Sequence, residues 1–472
     1  MPWKNTHPLY EMQMFEWRIV QDIYDGEKAI KNPGKAKEYL PIDPMEKNDT
    51  YKRRLNMARL FNALKRAING LTGMVFRKDV TVSVEAEKYK FFDQLLENTN
   101  RCGDGYFRFS VTAFNMLLRR GHILILVDYP DYQEGLTVEA KESGDIRPFF
   151  TLIDPMDVPF WWTTKNESGK EVFSEIVVCR NEIYMDGEKL KHKKVYYQYL
   201  PGMVVIWEEV EGVLAEKSRK IMAINGVPLK EIPIIVVYGE QIGTMHSEPP
   251  MIEFALENVT HYQIRADYRF SNHSFCYPVA CFSGTSKAEI GESVAVGGER
   301  ALAFKNPDTK YGFLEPSGKA PETASKELAE SESRMAIYSL SIFDRSNVSA
   351  NETLGAKKMK TTAEFSILAM FAISLATGLT EANRLAFKWE QVIPDSDPVA
   401  DLNLDFTSLF IDPATITILK DMADKRDFPM TALWDILRES GLKIPSNEKL
   451  QEKINTEKVE RGEDFGGGED DN

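Results

Sequence analysis

Between residues 249 and 392 the apolar and polar positions change period several times, and the order of those changes predicts an architecture. From Met251 to about Phe270, the residues Ile252, Ala255, Val259, Tyr262 and Ala266 fall three and four apart. That spacing predicts a helix with one apolar stripe, Glu253, Glu257, Asn258 and Arg265 being turned elsewhere. Pro249 and Pro250 suit its start. A second helix is predicted from about Pro321 to Ile342, with Ala324, Leu328, Met335 and Tyr338 on its stripe and Glu322 in its first turn. Between the two, Cys276 to Phe282, Ala301 to Phe304 and Tyr311 to Leu314 read as short strands around a glycine-rich stretch at Gly291, Gly297 and Gly298. After Ile342 the run Asp344, Arg345, Ser346, Asn347, Ser349, Asn351, Glu352, Thr353 and Gly355 predicts an exposed polar loop, followed by the cluster Lys357, Lys358 and Lys360. Thr361 and Glu364 stand in capping-box spacing, and Phe365 to Leu379 is apolar nearly all round. A helix buried on every side is expected there, ending before Pro394.

The remainder reads as follows. Leu9 to Ile23 fits an amphipathic helix carrying Met12, Phe15, Ile19 and Ile23. Asp49 to Gly70 fits one long helix with Tyr51, Leu55, Ala58, Phe61, Leu64 and Ile68 on one face. Val80, Val82 and Val84 alternate as a strand. A helix from Tyr106 to Arg120 stops at Gly121, and the unbroken apolar run from His122 to Val127 fits a strand buried on both faces. Strands are predicted at Pro148 to Ile153, Val172 to Cys179, Val195 to Tyr199, Met203 to Glu208 and Ile232 to Tyr238, with turns at Asp186-Gly187 and Asn225-Gly226. The fold class is α+β. Beyond Pro394 come an acidic linker, Asp395 to Asp405, and three short helices. Asp412 caps the first, Pro429 opens the second, and Ser446 caps a third that runs to about Arg461. The Gly and acid tail, Gly462 to Asn472, is expected to be disordered.

With 472 residues, 43% hydrophobic and 11% aromatic, the chain is long enough for two to four globular domains. Met1 to Tyr10 holds no apolar signal region, so a cytoplasmic origin is expected. The stretch from Phe365 to Leu379 is about 15 residues against the roughly 20 needed to span a bilayer, so no membrane is expected. Four cysteines in so large a chain make no disulfide framework. A net charge of −14 argues against tight wrapping of nucleic acid, which depends on Lys and Arg neutralising phosphates.

Catalytic patterns fail on spacing or on missing partners. His273, Cys276 and Cys281 match no zinc ligand spacing and lack a fourth ligand nearby. Ser446 to Lys449 fits Ser-x-x-Lys without a Lys-Thr-Gly partner. Gly291 to Gly298 lacks the lysine of a phosphate-cradling loop, and Asp395, Asp397, Asp401 and Asp405 lack the glycine and closing glutamate of a calcium loop. No catalytic residue, metal ligand or cofactor is predicted. A structural or interaction protein fits better than an enzyme.

Tyr51-Lys52-Arg53-Arg54-Leu55, Asn62-Ala63 and Gly70-Leu71-Thr72-Gly73-Met74-Val75-Phe76-Arg77 resemble the N-terminal block of a branch of tailed-bacteriophage portal proteins, the head-to-tail connector family. The order of elements farther along is also similar to that family, though by architecture rather than by invariant residues. The resemblance implies an α+β wing at 1–249, a first stem helix at 250–270, a clip at 271–320 and a second stem helix at 321–342. It further implies a tunnel loop at 343–360, a long wing helix at 361–394 and a helical crown at 395–461. It implies no active site, but a homo-oligomeric ring, usually of twelve subunits, at one capsid vertex of the virion, assembled in the host cytoplasm. Double-stranded DNA passes through such a ring during packaging and ejection. The partners implied are the terminase large subunit, a head–tail adaptor and the major capsid protein or scaffold. An acidic wall suits that role, because it repels phosphates that must slide past. Arg345, Lys357, Lys358 and Lys360 are the candidates for touching DNA at the tunnel loop, and Tyr277, Phe282, Tyr311 and Phe313 are the candidate clip anchors. Two other readings stay open: a nuclease of the packaging apparatus, which needs clustered carboxylates for magnesium, and a monomeric capsid-associated binding protein.

Overall fold

The computed structural model describes residues 5–130, 146–186, 189–210, 213–224, 226–275, 279–284, 308, 310–314, 319–338 and 354–404, then 417, 420–422, 425, 429–439, 447, 450 and 453. The chain divides into two compact units, Met1–Leu404 and Asp405–Asn472.

The first unit opens with helices α1 (Pro8–Asp25), α2 (Glu27–Ile30), α3 (Ala36–Tyr39), α4 (Asn48–Met57) and α5 (Ala63–Val75). His7 caps α1 by accepting from Leu9 N–H at 3.2 Å, with Pro8 at the first helical position. The single helix expected from Asp49 to Gly70 is two helices. The apolar period runs through the break, but Asn62 accepts from Lys65 N–H at 3.0 Å and so caps a new helix. Strand β1 (Thr81–Val82) and helices α6 (Lys90–Glu97) and α7 (Tyr106–Arg120) follow. Gly121 ends α7 with φ +81, and a side chain there would collide with the carbonyl of Glu248 as well.

Strands β2 (His122–Asp128) and β3 (Phe149–Ile153) come next, followed by β4 (Phe160–Lys165), β5 (Glu171–Asp186), β6 (Lys189–Leu200), β7 (Met203–Val210) and β8 (Val213–Ile221). A short hairpin of β9 (Ala223–Ile224) and β10 (Val227–Pro228), with Gly226 at φ +76, leads to β11 (Ile234–Tyr238). Two sheets result, both antiparallel. One is the meander β4-β5-β6-β7-β8, whose core contains Phe160 and Val177 packed by Tyr196, Trp207 and Leu214. The other has the order β11-β2-β3. Its centre is β2, in which His122 to Val127 are all buried, as the unbroken apolar run predicts. Strands β4 and β8 have no counterpart in the sequence reading, because Glu216, Lys217, Arg219 and Lys220 mask the alternation of β8 and Trp161-Trp162 that of β4.

The chain then forms α8 (Ile252–Phe275), β12 (Val279–Ser283), β13 (Lys310–Leu314), α9 (Lys319–Tyr338) and α10 (Leu354–Glu390). Strand β14 (Ala400–Asp401) closes the unit by pairing with β1. The acidic interval after Pro394 therefore belongs to this unit up to Leu404 and is not a linker into the C-terminal region; Arg384 forks onto Asp397, and Asp395 N–H donates to the Tyr89 hydroxyl. In the second unit the described helix is α11 (Met430–Glu439), directly after Pro429. The other two short helices expected in this region lie mostly outside the described residues, which there are 417, 420–422, 425, 447, 450 and 453, and the acidic tail lies wholly outside them.

His122 makes this body acid-sensitive. The ring is fully buried, its Nδ1 lies 2.7 Å from Ser247 Oγ, and among the described residues its Nε2 has no partner. Burial pushes its pKa down to about 3. The unfolded chain takes up a proton near pH 6.5 and the folded chain does not, so this contribution is full above that pH and is lost as pH falls toward 3. Between about pH 7.5 and about pH 5 the loss is about 2 kcal/mol. Urea titration at both pH values checks this, since His122→Gln removes that part of the difference.

Candidate functional site

The hairpin α8–α9 grows from the N-terminal helices, and polar side chains fix its base. Asn258, expected to face away from the stripe, is fully buried. Its side chain accepts from Leu64 N–H at 3.2 Å and donates to Phe61 O at 2.8 Å, locking α8 to the start of α5. Arg54 donates through Nη1 to Asp267 at 2.9 Å and through Nη2 to Pro41 O and Glu46, both at 2.7 Å. The fork holds the Glu46 carboxyl below its ordinary pKa. Gln263 adds a bond to Tyr39 O at 2.9 Å. Arg54 and Asn62 belong to the block that resembles portal proteins, and both act here in holding elements together.

Above this base α8 and α9 pack side by side. Glu257 accepts from Ser331 at 2.5 Å and from Arg334 at 2.9 Å, and His261 Nε2 lies 3.3 Å from Glu332. Burial lowers the His261 pKa, although Glu332 opposes the shift. On α9, Ser331 and Met335 are buried, whereas Glu322, Lys326, Glu327, Glu330, Glu332 and Arg334 are exposed. The helix thus keeps a charged, mostly acidic side facing solvent.

The first helix runs farther than expected. Ser271 to Phe275, assigned to the insert, continue α8. In the insert, β12 and β13 pair so that Phe282 stands opposite Tyr311 and Ala280 opposite Phe313. Tyr277 lies outside the described residues, as does the strand expected at Ala301 to Phe304.

The long helix also departs from expectation, in two ways. It begins at Leu354, so Lys357, Lys358 and Lys360 stand on its first turns rather than in a loop. Leu, Ala, Lys and Met are strong helix formers, and they carry the helix through Thr361, which therefore lies inside the helix rather than at its start. Arg345 and the side chains of the three lysines lie outside the described residues. Farther along, Leu368, Phe371, Ala372, Leu375, Leu379, Ala382, Ala386 and Phe387 are buried, and α10 packs on α7, β2 and β11. Two glycines allow that approach: a methyl group on Gly378 would overlap Val237, and one on Gly239 would overlap the Phe371 ring. The other side is bare. Ile367 is 59% exposed, Met370 58% and Ile373 49%, so the helix is not buried on every side. A cleft of about 300 Å³ continues this row toward Val399 and Leu404, which are also exposed.

Among the described residues no group of three or more His, Cys, Asp or Glu is placed to hold a metal ion. No described helix is long and apolar enough to cross a membrane.

A family model described as Domain of unknown function (DUF4055) matches residues 250–390, the stretch from α8 to the end of α10. No curated protein matches the chain. Among solved structures, a chain in the neck of an empty gene transfer agent (GTA) particle, computed with C6 symmetry, is similar at 11% identity and TM-score 0.39, over 87% of this chain and 98% of that one. A chain in the virion of the native gene transfer agent particle is similar at 12% identity and TM-score 0.38, over 87% and 95%. A chain in the neck of the native particle, computed with C12 symmetry, is similar at 10% identity and TM-score 0.39, over 86% and 97%.

Proposed function

We propose that this chain is a portal: a ring-forming, non-enzymatic connector at one vertex of a virus-like capsid, through which double-stranded DNA is packaged and later released. The observation that carries this reading is α10. A helix that is apolar nearly all round needs cover nearly all round, yet among the described residues of one chain Ile367, Met370 and Ile373 are left in water. A neighbouring copy supplies the missing cover, and copies that each cover the next through two different faces form a ring when the rotation between them closes. The acidic outer side of α9 suits a channel wall that DNA slides past. In this reading the tip formed by β12 and β13 is where the packaging motor, a terminase, docks first and a head–tail adaptor later. The crown begins after Leu404.

Charge at Met370 and Ile373 tests the ring. Met370→Asp with Ile373→Asp changes two exposed residues, so the chain is expected to fold and to lose its rings in electron micrographs; rings that persist contradict the interface. The lysine cluster tests the channel. If Lys357, Lys358 and Lys360 steady DNA at the constriction, changing all three to Gln lowers DNA retained per packaged head at least severalfold; unchanged packaging and retention remove them from the channel.

A further inference from the structure

We infer that the outer half of the β5–β6 hairpin is an arm that lies on the α10 row of the next copy. This rests on the ring reading and names the segment that covers the row.

Strand β4 pairs with β5 only as far as Val177, and β7 pairs with β6 only from Val195 onward. Beyond those points, among the described residues, Asn181 to Asp186 pair with Lys189 to Lys194 and with no third strand. Such an arm is about 20 Å long. A hairpin of two strands is marginal on its own in water and is stabilised by packing on one face. Residues opposite each other in the ladder share a face, and successive residues along a strand alternate between faces. One face of the arm therefore carries Ile183, Met185, Leu190 and His192. Ile183 is 62% exposed, Met185 67% and Leu190 69%. The opposite face is closed by its own contacts. Lys193 donates to Glu208 at 2.6 Å and lies over the Tyr184 ring, and the Tyr197 hydroxyl donates to Glu182 at 2.6 Å.

The arm and the row carry opposite charge. In a chain of net charge −14, Lys189 to Lys194 is four lysines, a leucine and a histidine without an acid. Of these, Lys191, His192 and Lys194 are exposed. On α10, Thr377, Glu381 and Arg384 continue the stripe of Ile367, Met370 and Ile373 at helical spacing. Arg384 is forked onto Asp397, so exposed Glu381, with Asp401 in the wall of the adjoining cleft, leaves that end of the row acidic. A basic arm with an apolar face complements an apolar row with an acidic end. Another exposed apolar pair, Met12 and Phe15 on α1, stands between Glu11 and Glu16 and lacks that match. Arm and row are different surfaces, so their contact runs head to tail, as a ring requires. Nucleic acid fits the arm less well, because a phosphate backbone offers nothing to three large apolar side chains.

Met185→Ser with Leu190→Ser alters two exposed residues. The variant is expected to keep the wild-type circular dichroism and to lose rings at least tenfold by mass photometry. Lys191→Glu with Lys194→Glu is expected to lower ring yield severalfold at low salt, and adding Glu381→Lys with Asp401→Lys is expected to restore it. Rings formed by the serine variant as readily as by wild type overturn the inference and leave the ring reading standing. So does a loss in the glutamate variant that the two lysines fail to restore. So does a glutamate variant that forms normal rings but binds a duplex DNA fragment more weakly, since the arm then serves nucleic acid. A wild type that forms no rings overturns both. If the serine variant fails to fold, hydrogen exchange decides. The amides of Asn181 to Met185 are expected to exchange at least tenfold more slowly in wild-type rings than in the dissociated chain, and equal rates, or protection that needs a different added protein, overturn the inference.

Discussion

Asp154→Ala is expected to cost about 3–5 kcal/mol of stability. Arg120 is 2% exposed, and its Nε and Nη2 each reach an Asp154 oxygen at 2.8 Å. Nη2 also donates to Gln21 Oε1 at 2.6 Å and Nη1 to Trp17 O at 3.3 Å, while Trp17 Nε1 returns a bond to Arg120 O at 2.9 Å. This cluster ties α1 and α7 to the turn after β3. Burial alone would raise the Asp154 pKa, but the Arg120 fork, its charge and the Met156 N–H hold it below the ordinary value. Without the carboxylate, a buried guanidinium has only neutral acceptors. Replacing both partners removes the stranded charge, so Asp154→Ala with Arg120→Met is expected to be more stable than Asp154→Ala alone. Urea unfolding of the two variants beside wild type gives the coupling. A double variant that is less stable than the single one would show that the guanidinium is satisfied without Asp154.

Gly378→Val is the second large effect. In an ordinary helix interior, replacing glycine by alanine gains up to about 1 kcal/mol. Here no side chain has room: a first carbon on Gly378 already overlaps Val237, and β11 cannot retreat without breaking its ladder to β2. Overpacking of this kind costs about 1–3 kcal/mol, and the branched side chain adds to it. The helix is expected to lift from the sheet, exposing Phe371 and Leu375 and loosening the Trp389 contact, in which Nε1 donates to Val127 O at 3.2 Å and the indole stacks on Tyr129. Faster hydrogen exchange across α10 with α7 unchanged is the expected signature. Val237→Ala added to Gly378→Val makes room and is expected to restore part of the protection; if exchange in α10 is unchanged in Gly378→Val, the two glycines do not set the helix's seat.

Elements whose determinants lie close together in sequence could be read directly. Gly121 stops α7 because its φ is positive, and the run from His122 to Val127 is buried on both faces. The order of α8, insert, α9 and α10 follows from changes of period alone. What stayed hidden depends on distant partners. The break between α4 and α5 interrupts an intact apolar stripe, and part of what holds it is Asn258, nearly two hundred residues away. Strand β1 exists because β14, from the far end of the unit, pairs with it. Thr361 and Glu364 have capping spacing and so predict a later start for α10, although the stronger helix formers before them begin it at Leu354. The bare row on α10 could not be foreseen, since a sequence that is apolar all round shows that cover is needed and not which chain supplies it.

That cover is tested most directly by imaging the purified chain at high concentration by cryo-electron microscopy. A portal is expected to give closed rings of one chain, with a central hole wide enough for duplex DNA and the Ile367, Met370 and Ile373 row at the contact between copies. A chain that stays monomeric at every concentration, or rings in which that row faces solvent, would contradict it.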